Sequence, residues 1–349
     1  MLNARWLAVW SIVGGLASIL VTGAAQGDPA PAVASAVTPP LSASSVASSS
    51  GGVQRQVSVE VIARTRQDAR FLCTDGPHVY WALPETTRMD SWTNASGEGR
   101  VVESSNGDAA IHRVSVSGGA IEPVVQGISS IKGLGLSADQ IFWSGDIGCG
   151  GFLCLPTGWV RKQRKEGGAV TDVWPDASVP EDEQAMLIVG PIVPDGSSFL
   201  MGTNDRTVSI PTTGGPVVTA RTRYSARVTA FGGSVVIRDG WAYWTERDRC
   251  SGGACDRNVR IRREPTTGGN ASDLAVGLGH VLDLAADGQH VYVAVGGGVS
   301  RVPVAGGTLE ILRGTVGKDV REVETANGWL YLLAGSHVLR MRLDPPQAP

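Results

Sequence analysis

The sequence predicts an all-β fold, a six-bladed β-propeller of four-stranded antiparallel blades, from three observations. A degenerate unit of about 48 residues recurs six times along the chain. Each unit places an Asp or Asn turn just before an apolar, aromatic strand, and a Gly-Gly pair follows in five of the six units. An alternating strand at 57–62 precedes the first unit, whereas the last unit ends one strand short.

Turn residues divide each unit into strands. The first turn has Asp or Asn at its first position: Asp75-Gly76, Asp139-Gln140, Asp195-Gly196, Asp239-Gly240, Asp287-Gly288 and Asn327-Gly328. The second turn has a Gly-Gly pair, at 118–119, 167–168, 214–215, 268–269 and 306–307. Both dipeptides accept the positive φ that tight hairpins require. Pro211, Pro265 and Pro303 stand near the end of strand three, where we expect a bulge because proline cannot donate to a ladder.

Strand two is apolar throughout instead of alternating, as in Val79-Tyr80-Trp81 and Ala242-Tyr243-Trp244. A sheet with two apolar faces buries both when it stacks between neighbours, and radial stacking of such sheets gives a propeller. Because unit six lacks a fourth strand, we expect 57–62 to pair with the strand at 337–343 and complete the last blade. That pairing removes an edge that would otherwise promote aggregation.

Two segments carry the repeat most clearly, Trp241-Ala242-Tyr243-Trp244-Thr245-Glu246 and Val299-Ser300-Arg301-Val302-Pro303-Val304-Ala305-Gly306-Gly307. This pattern resembles exported bacterial six-bladed propellers, the class that groups YWTD-type, NHL-type and TolB-like repeats. The resemblance covers residues 57–344. It implies the architecture alone, since members of this superfold have unrelated functions.

The N-terminal region predicts export. Residues 1–25 have the pattern of a signal peptide: Arg5, an apolar run from Trp6 to Val21, and small residues at Gly23-Ala24-Ala25. An uncleaved membrane anchor is the alternative, although the run is short for a spanning helix. Residues 26–55 are rich in Ala, Ser and Pro and predict a disordered linker. We expect the propeller at 56–344, a tail at 345–349, and a periplasmic, cell-surface or secreted location.

Composition narrows the class of partner. Hydrophobic residues make up 42% of the chain, which is enough for a folded core, and the formal net charge is −3. A mildly acidic chain argues against nucleic acid as a partner, because that binding depends on Lys and Arg at phosphates. The same balance argues against polybasic binding to anionic lipid, so membrane attachment would come only through a retained signal. We expect a monomer without a cofactor.

Four of the five cysteines form two closely spaced pairs, Cys149 with Cys154 and Cys250 with Cys255. In an oxidising compartment such pairs predict local disulfides within loops. A zinc site with four cysteine ligands is the alternative, but it would need both pairs around one ion, and residues 155–249 separate them. Cys73 is left over, and we expect it to be a buried, small apolar residue.

No catalytic constellation is recognisable. The sequence has no G-x-S-x-G elbow, H-E-x-x-H motif or P-loop, and no set of ligands that predicts a metal site. Enzymatic propellers tend to place their reactive groups at the start of strand one. Counting back from the turns puts Asp68, Lys132 and His280 at this mouth of the channel. A hydrolase or lyase with its site there is therefore an alternative function, with catalytic residues unassigned.

The non-repeating insertions indicate where a partner binds. The loop between strands two and three is long in unit one (82–110), unit two (144–158) and unit four (245–258), and insertions in repeat proteins cluster on one face, often the binding face. Aromatic and charged residues there are our candidate binding residues: Trp92, Phe152, Glu246, Arg247, Asp248, Arg249, Asp256 and Arg257. The sequence thus predicts a module that binds a protein, peptide or glycan. A structural component of the cell envelope is a further alternative.

Overall fold

The structure, a computed structural model, describes residues 53–93, 99–147, 157–174, 188–203, 207–213, 218–219, 234–247 and 259–343. Within these ranges the regular elements are β-strands, apart from one short 3-10 turn at Arg313–Thr315. None of the described segments forms a helix with the length and apolar character needed to cross a membrane. The described chain begins with two short strands, β1 (Val53–Arg55) and β2 (Glu60–Arg64).

The next strands form blades I to III, and blade I carries an inserted hairpin of two strands, β5 and β6. In chain order the strands are β3 (Arg70–Thr74), β4 (His78–Leu83), β5 (Thr87–Thr93), β6 (Gly99–Ser105), β7 (Ala109–Ser115) and β8 (Glu122–Ile128); β9 (Gly133–Leu136), β10 (Gln140–Ile147), β11 (Thr157–Arg164) and β12 (Thr171–Trp174); β13 (Ile188–Asp195), β14 (Ser198–Thr203), β15 (Thr207–Pro211) and β16 (Val218–Thr219).

Blades IV to VI complete the set. Their strands are β17 (Val235–Arg238), β18 (Trp241–Arg247), β19 (Val259–Pro265) and β20 (Ser272–Leu278); β21 (Val281–Ala286), β22 (His290–Val295), β23 (Gly298–Pro303) and β24 (Glu310–Leu312); β25 (Val320–Ala326), β26 (Trp329–Ala334) and β27 (His337–Arg342). The first strand of each blade contacts the first strands of both neighbouring blades, so β3, β9, β13, β17, β21 and β25 form a ring. The predicted six-bladed propeller of four-stranded antiparallel blades is confirmed.

The N-terminal strand closes the last blade, as predicted. β2 pairs antiparallel with β27, with Glu60 opposite Arg340 and Arg64 opposite His337. The paired segment starts three residues later than the alternating run suggested. Upstream of it, β1 adds in parallel to the outer edge of β24 in blade V, which sequence patterning did not anticipate.

The turns form for the expected reason. Asp239, Gly240, Asn327 and Gly328 all have positive φ between 49° and 79°, the backbone of a two-residue hairpin turn whose twist matches its strands. The bulge expected at the strand-three prolines is wrong, because Pro211, Pro265 and Pro303 all pair with strand two in continuous ladders. Pro265, for example, lies opposite Trp241. Proline is tolerated there because it ends its strand, beyond the last residue paired with β20.

Basic side chains in strand three hold neighbouring blades together. In three blades an Arg of strand three donates to a backbone carbonyl of the following blade. These bonds run from Arg113 to Lys165, from Arg263 to Val304 and from Arg340 to Val116. The recurring basic residue is therefore a structural contact between blades.

Candidate functional site

The two faces of the disc differ in construction. One face has the tight Asp-Gly and Gly-Gly turns. The opposite face, here called the insertion face, carries the connections between strands two and three of each blade. On it, β10 and β11 continue for three pairs beyond the end of β9, up to Ile147 opposite Thr157. The pairing of β18 with β19 likewise continues for three pairs beyond β17, so these hairpins project from one face.

The largest described projection is the hairpin of β5 and β6. Seven consecutive residue pairs join the two strands, from Thr87 opposite Ser105 to Thr93 opposite Gly99, without a register shift. Among the described strands, none other pairs with either of them. Blade I therefore carries a two-stranded sheet outside its own ladder.

A compact set of hydrogen bonds holds the base of this hairpin. The Thr86 backbone N–H and hydroxyl both donate to the Asp108 carboxylate, each over 2.7 Å. Asn106 donates to Thr86 twice, through its backbone N–H (3.0 Å) and its side-chain amide (2.8 Å). The bonds from Thr86 lower the pKa of Asp108 below its ordinary value, so this carboxylate is ionised at neutral pH and remains an acceptor.

The predicted mouth residue Asp68 belongs to the same support. Arg66 Nε donates to Asp68 Oδ1 over 2.9 Å, and a terminal nitrogen of the same guanidinium donates to the Pro84 carbonyl over 2.7 Å. The hydrogen bond from Arg66 lowers the pKa of Asp68. Asp68 is thus the counter-ion of Arg66, which joins the segment before β3 to the chain that enters the hairpin.

Packing fixes the root of the β10–β11 hairpin. A Cβ added to Gly145 would lie 2.2 Å from the Trp159 ring and 2.6 Å from the Ser130 carbonyl oxygen. Trp159 is 4% exposed, and the Arg161 guanidinium lies 4.5 Å from the centre of its ring. Glycine is therefore needed here for a close approach, and the hairpin leaves the blade in a fixed direction.

The root of the β18–β19 hairpin is held by charge. Glu246, a predicted binding residue, accepts a hydrogen bond from Arg262 over 3.1 Å. Arg262 also contacts Asp273 over 3.1 Å and lies 6.0 Å from the centre of the Trp244 ring. Glu246 therefore supports the base of the β18–β19 hairpin.

The other candidate residues have different positions. Trp92 lies in β5 and Arg247 ends β18. Several predictions concern residues outside the described ranges, namely Phe152, Asp248, Arg249, Asp256, Arg257 and the cysteines Cys149, Cys154, Cys250 and Cys255. The residues that connect β10 to β11 and β18 to β19 therefore lie outside the described ranges.

The other predicted mouth residues, Lys132 and His280, are exposed and directly precede β9 and β21. Within the described residues no group of three or more His, Cys, Asp or Glu side chains is arranged to hold a metal ion. Cys73 is a free cysteine packed against the core cluster between blades I and II. Burial raises the pKa of its thiol well above the ordinary value, which keeps it protonated and unreactive.

Three inner-strand carboxyl groups were missed by the sequence analysis: Asp283 in β21, and Glu322 and Glu324 in β25. Asp283 Oδ2 accepts a hydrogen bond from the Val323 backbone N–H of the next blade over 3.0 Å. Glu322 Oε2 accepts one from Leu72 N–H over 2.6 Å. Each of these two acids thus joins its own inner strand to the next one around the ring.

The surroundings of these acids disfavour ionisation. Burial raises the pKa of Glu324 to about 7. Burial also raises the pKa of Asp283 and of Glu322, and the charge of Glu322 adds to the rise at Asp283. The side chains of all three residues are partly exposed, so water reaches them. The missed signal was spacing: Asp283 and Glu322 each precede a strand-two tyrosine, Tyr292 or Tyr331, by nine residues. The turn residue is placed differently, because Asp287 follows Asp283 by four residues whereas Asn327 follows Glu322 by five.

Comparison with known proteins shows only distant similarity. No family model matches the chain, and no curated protein does either. A virginiamycin B lyase from Staphylococcus aureus is similar in structure, with a TM-score of 0.47, 10% identity, and coverage of 82% of this chain and 99% of that one.

BamB from Moraxella catarrhalis has a TM-score of 0.43 and 13% identity, with coverage of 84% of this chain and 99% of that one. TolB from Acinetobacter baumannii has a TM-score of 0.37 and 12% identity, covering 81% of this chain and 63% of that one. Similarity at this level does not bear on function. The fold assignment rests on the strand pairing itself, which forms six blades closed by the N-terminal strand.

Proposed function

We propose that this chain is an exported propeller that binds a protein, peptide or glycan partner through its insertion face. One observation carries the proposal: the β5–β6 hairpin, seven pairs long, stands outside the blade ladders. The opposite face offers short turns with little surface to vary. A rigid ring with projections on one face is a common arrangement for a binding module, because the scaffold keeps the contact residues in place.

The supports of the projections favour binding over neutral loop drift. Each of the three hairpins has a specific anchor at its base: the Thr86–Asp108 bonds, the Gly145–Trp159 packing and the Glu246–Arg262 ion pair. Ordering these segments before a partner arrives lowers the entropic cost of association.

Export is the second part of the proposal. The apolar run at 6–21, the small residues that follow it and the Pro/Ser-rich linker support it, as does the repeat's resemblance to exported propellers. Localisation of the full chain after fractionation of its native cells tests this part. Recovery in the cytoplasm with residues 1–25 intact would reject it.

The binding proposal is tested with two variants. In one, 87–105 is replaced by a two-residue turn, which keeps the strands of blade I; in the other, 248–258 is replaced in the same way between the paired residues Arg247 and Val259. A partner is first captured from extracts of the native cell envelope by the full chain, and its affinity for each variant is then measured. We expect a loss of at least about tenfold, equal to about 1.4 kcal/mol. The control is Glu166→Ala, an exposed change on the tight-turn face, which should leave affinity unchanged. Full affinity in folded shortened variants would reject the proposal.

A further inference from the structure

The outer edges of the six blades are protected against pairing with other chains. The outer strands β8, β12, β20 and β2 each contain a bulge that interrupts the ladder. β16 has only two residues, and the edge of β24 is covered by β1. Bulges, short strands and covering segments are the devices by which natural sheets avoid addition of foreign strands.

The β5–β6 hairpin has none of these devices. Its seven pairs are continuous, neither strand contains proline or lysine, and no strand of the described chain pairs with either edge. Its charges are mixed, with Arg88 and Arg100 against Asp90 and Glu103, so no single sign of charge repels an approaching chain. An isolated two-stranded sheet is marginally stable in water, and a third strand would stabilise it.

From this contrast we infer that the β5–β6 hairpin binds an extended segment of a partner protein as a third β-strand. This inference rests on the proposed function and selects its ligand class. The outer edge of a strand offers alternating backbone N–H and C=O groups, which another peptide backbone matches along its whole length. A glycan has no such repeat.

The bonds at the hairpin base suit this role. Because Thr86, Asn106 and Asp108 fix the root, and Arg66 holds the Pro84 carbonyl, the edges project in a set direction before binding. An incoming strand then loses mainly its own conformational freedom. The partner segment should be short, about seven residues, since the hairpin presents seven on each strand.

The test begins with a displayed library of random heptapeptides selected on the full chain. The library is depleted on a variant in which 87–105 is replaced by Gly-Gly. A selected peptide is then synthesised with each backbone nitrogen methylated in turn. Strand addition uses every second N–H of the added strand, so affinity should fall at least about tenfold at alternate positions and stay unchanged at those between. Hydrogen exchange of the complex should slow along one hairpin strand.

Several results would overturn the inference. The library could yield no peptide that binds the full chain in preference to the variant. Methylation could weaken binding without an alternating pattern, or the bound peptide could slow hydrogen exchange outside the hairpin. Slow exchange at both hairpin edges in the free chain would show that they are already covered. A dimer that disappears when the hairpin is shortened would assign the edge to a second copy of this chain. If the captured envelope partner still required the hairpin, the proposed function would survive while strand addition would be rejected.

Discussion

At the residue scale, the inner strands use carboxyl groups where backbone groups of adjacent blades meet. Asp283 and Glu322 occupy equivalent positions in blades V and VI, and each accepts from the inner strand of the next blade. Ser234 donates to the Leu282 carbonyl across the preceding boundary, between blades IV and V, over 3.2 Å. Polar contacts thus bridge three successive blade boundaries, including the one between the last blade and the first.

Replacing Glu322 with alanine should destabilise the ring. The substitution leaves the Leu72 N–H without its acceptor, and an unsatisfied buried donor costs about 1–3 kcal/mol. Urea unfolding followed by tryptophan fluorescence measures the change. The control is Glu122→Ala, which removes an exposed carboxylate paired with Arg113 and should cost less than about 0.5 kcal/mol. Equal effects of the two substitutions would show that the Glu322 contact contributes nothing.

The free energy of unfolding should fall as the pH rises through neutrality. Folding raises the pKa of Glu324 from 4.5 to about 7, so in that interval the folded chain binds more protons than the unfolded chain. Stability from this group is complete below pH 4.5 and is lost as the pH passes 7. The raised pKa values of Asp283 and Glu322 act in the same direction.

Glu324→Gln tests this dependence, since glutamine has no proton to lose. At pH 8 the variant should be more stable than the parent by about 1–2 kcal/mol. This is less than the full pKa shift of Glu324 would give, because water screens the charge of the partly exposed carboxylate. At pH 4 the two should differ little. Parallel curves of unfolding free energy against pH for the two proteins would contradict the assignment.

At the element scale, the hairpins of the insertion face follow from local sequence to different degrees. The turns at Asp239-Gly240 and Asn327-Gly328 were predictable because positive φ limits the residue choice. The β5–β6 hairpin was not predicted, because its two strands lack a turn dipeptide of that kind between them. Nor could the sequence show that Glu246 supports its hairpin, since its partner Arg262 lies in another strand.

Gly145→Ala should disturb the root of the β10–β11 hairpin. The added methyl group would meet both the Trp159 ring and the Ser130 carbonyl, and overpacking of this kind costs about 1–3 kcal/mol. Thermal unfolding compares it with Gly279→Ala, which has open space around the new carbon. A similar melting temperature for both variants would show that the hairpin root adapts freely.

The two local disulfides stay a prediction. The positions of the cysteine pairs relative to the β10–β11 and β18–β19 hairpins support it. Cys149 and Cys154 lie in the chain between the paired ends Ile147 and Thr157, and Cys250 and Cys255 lie likewise between Arg247 and Val259. Each pair should form a local disulfide. Its effect on global stability should be below about 3 kcal/mol because the closed loop is short. Peptide mapping without reductant checks this, and a cross-link between the pairs or stoichiometric zinc would reject it.

At the scale of the whole molecule, the repeat made the ring predictable, while contacts between blades were not. The repeat period and the turn residues predict the number of blades, and the spare N-terminal strand predicts closure. Each of these features depends on local sequence. The parallel addition of β1 to β24 and the inner-strand acids depend on distant partners. Alignment from the turn Asp or Asn missed those acids, because Asp287 and Asn327 stand at different distances from them.

β2 closes the ring between blades VI and I. Ile62 and Ala63 of β2 are 7% exposed and pack in the cluster that contains Trp81 of blade I. Arg340 in β27 contacts Glu60 over 2.8 Å and also donates to the Val116 carbonyl of blade I. The strand therefore joins blades VI and I through both its apolar and its polar groups.

The most direct measurement is the thermal unfolding of a chain that starts at Arg64, compared with one that starts at Val57 and retains β2. Removing β2 exposes an edge of β27 and the apolar surface that Ile62 covers. Burial of the Ile62 side chain alone stabilises the fold by about 1.5–3 kcal/mol. We predict a lower melting temperature and a less cooperative transition for the shorter chain only. Identical transitions for the two chains would contradict closure by the N-terminal strand.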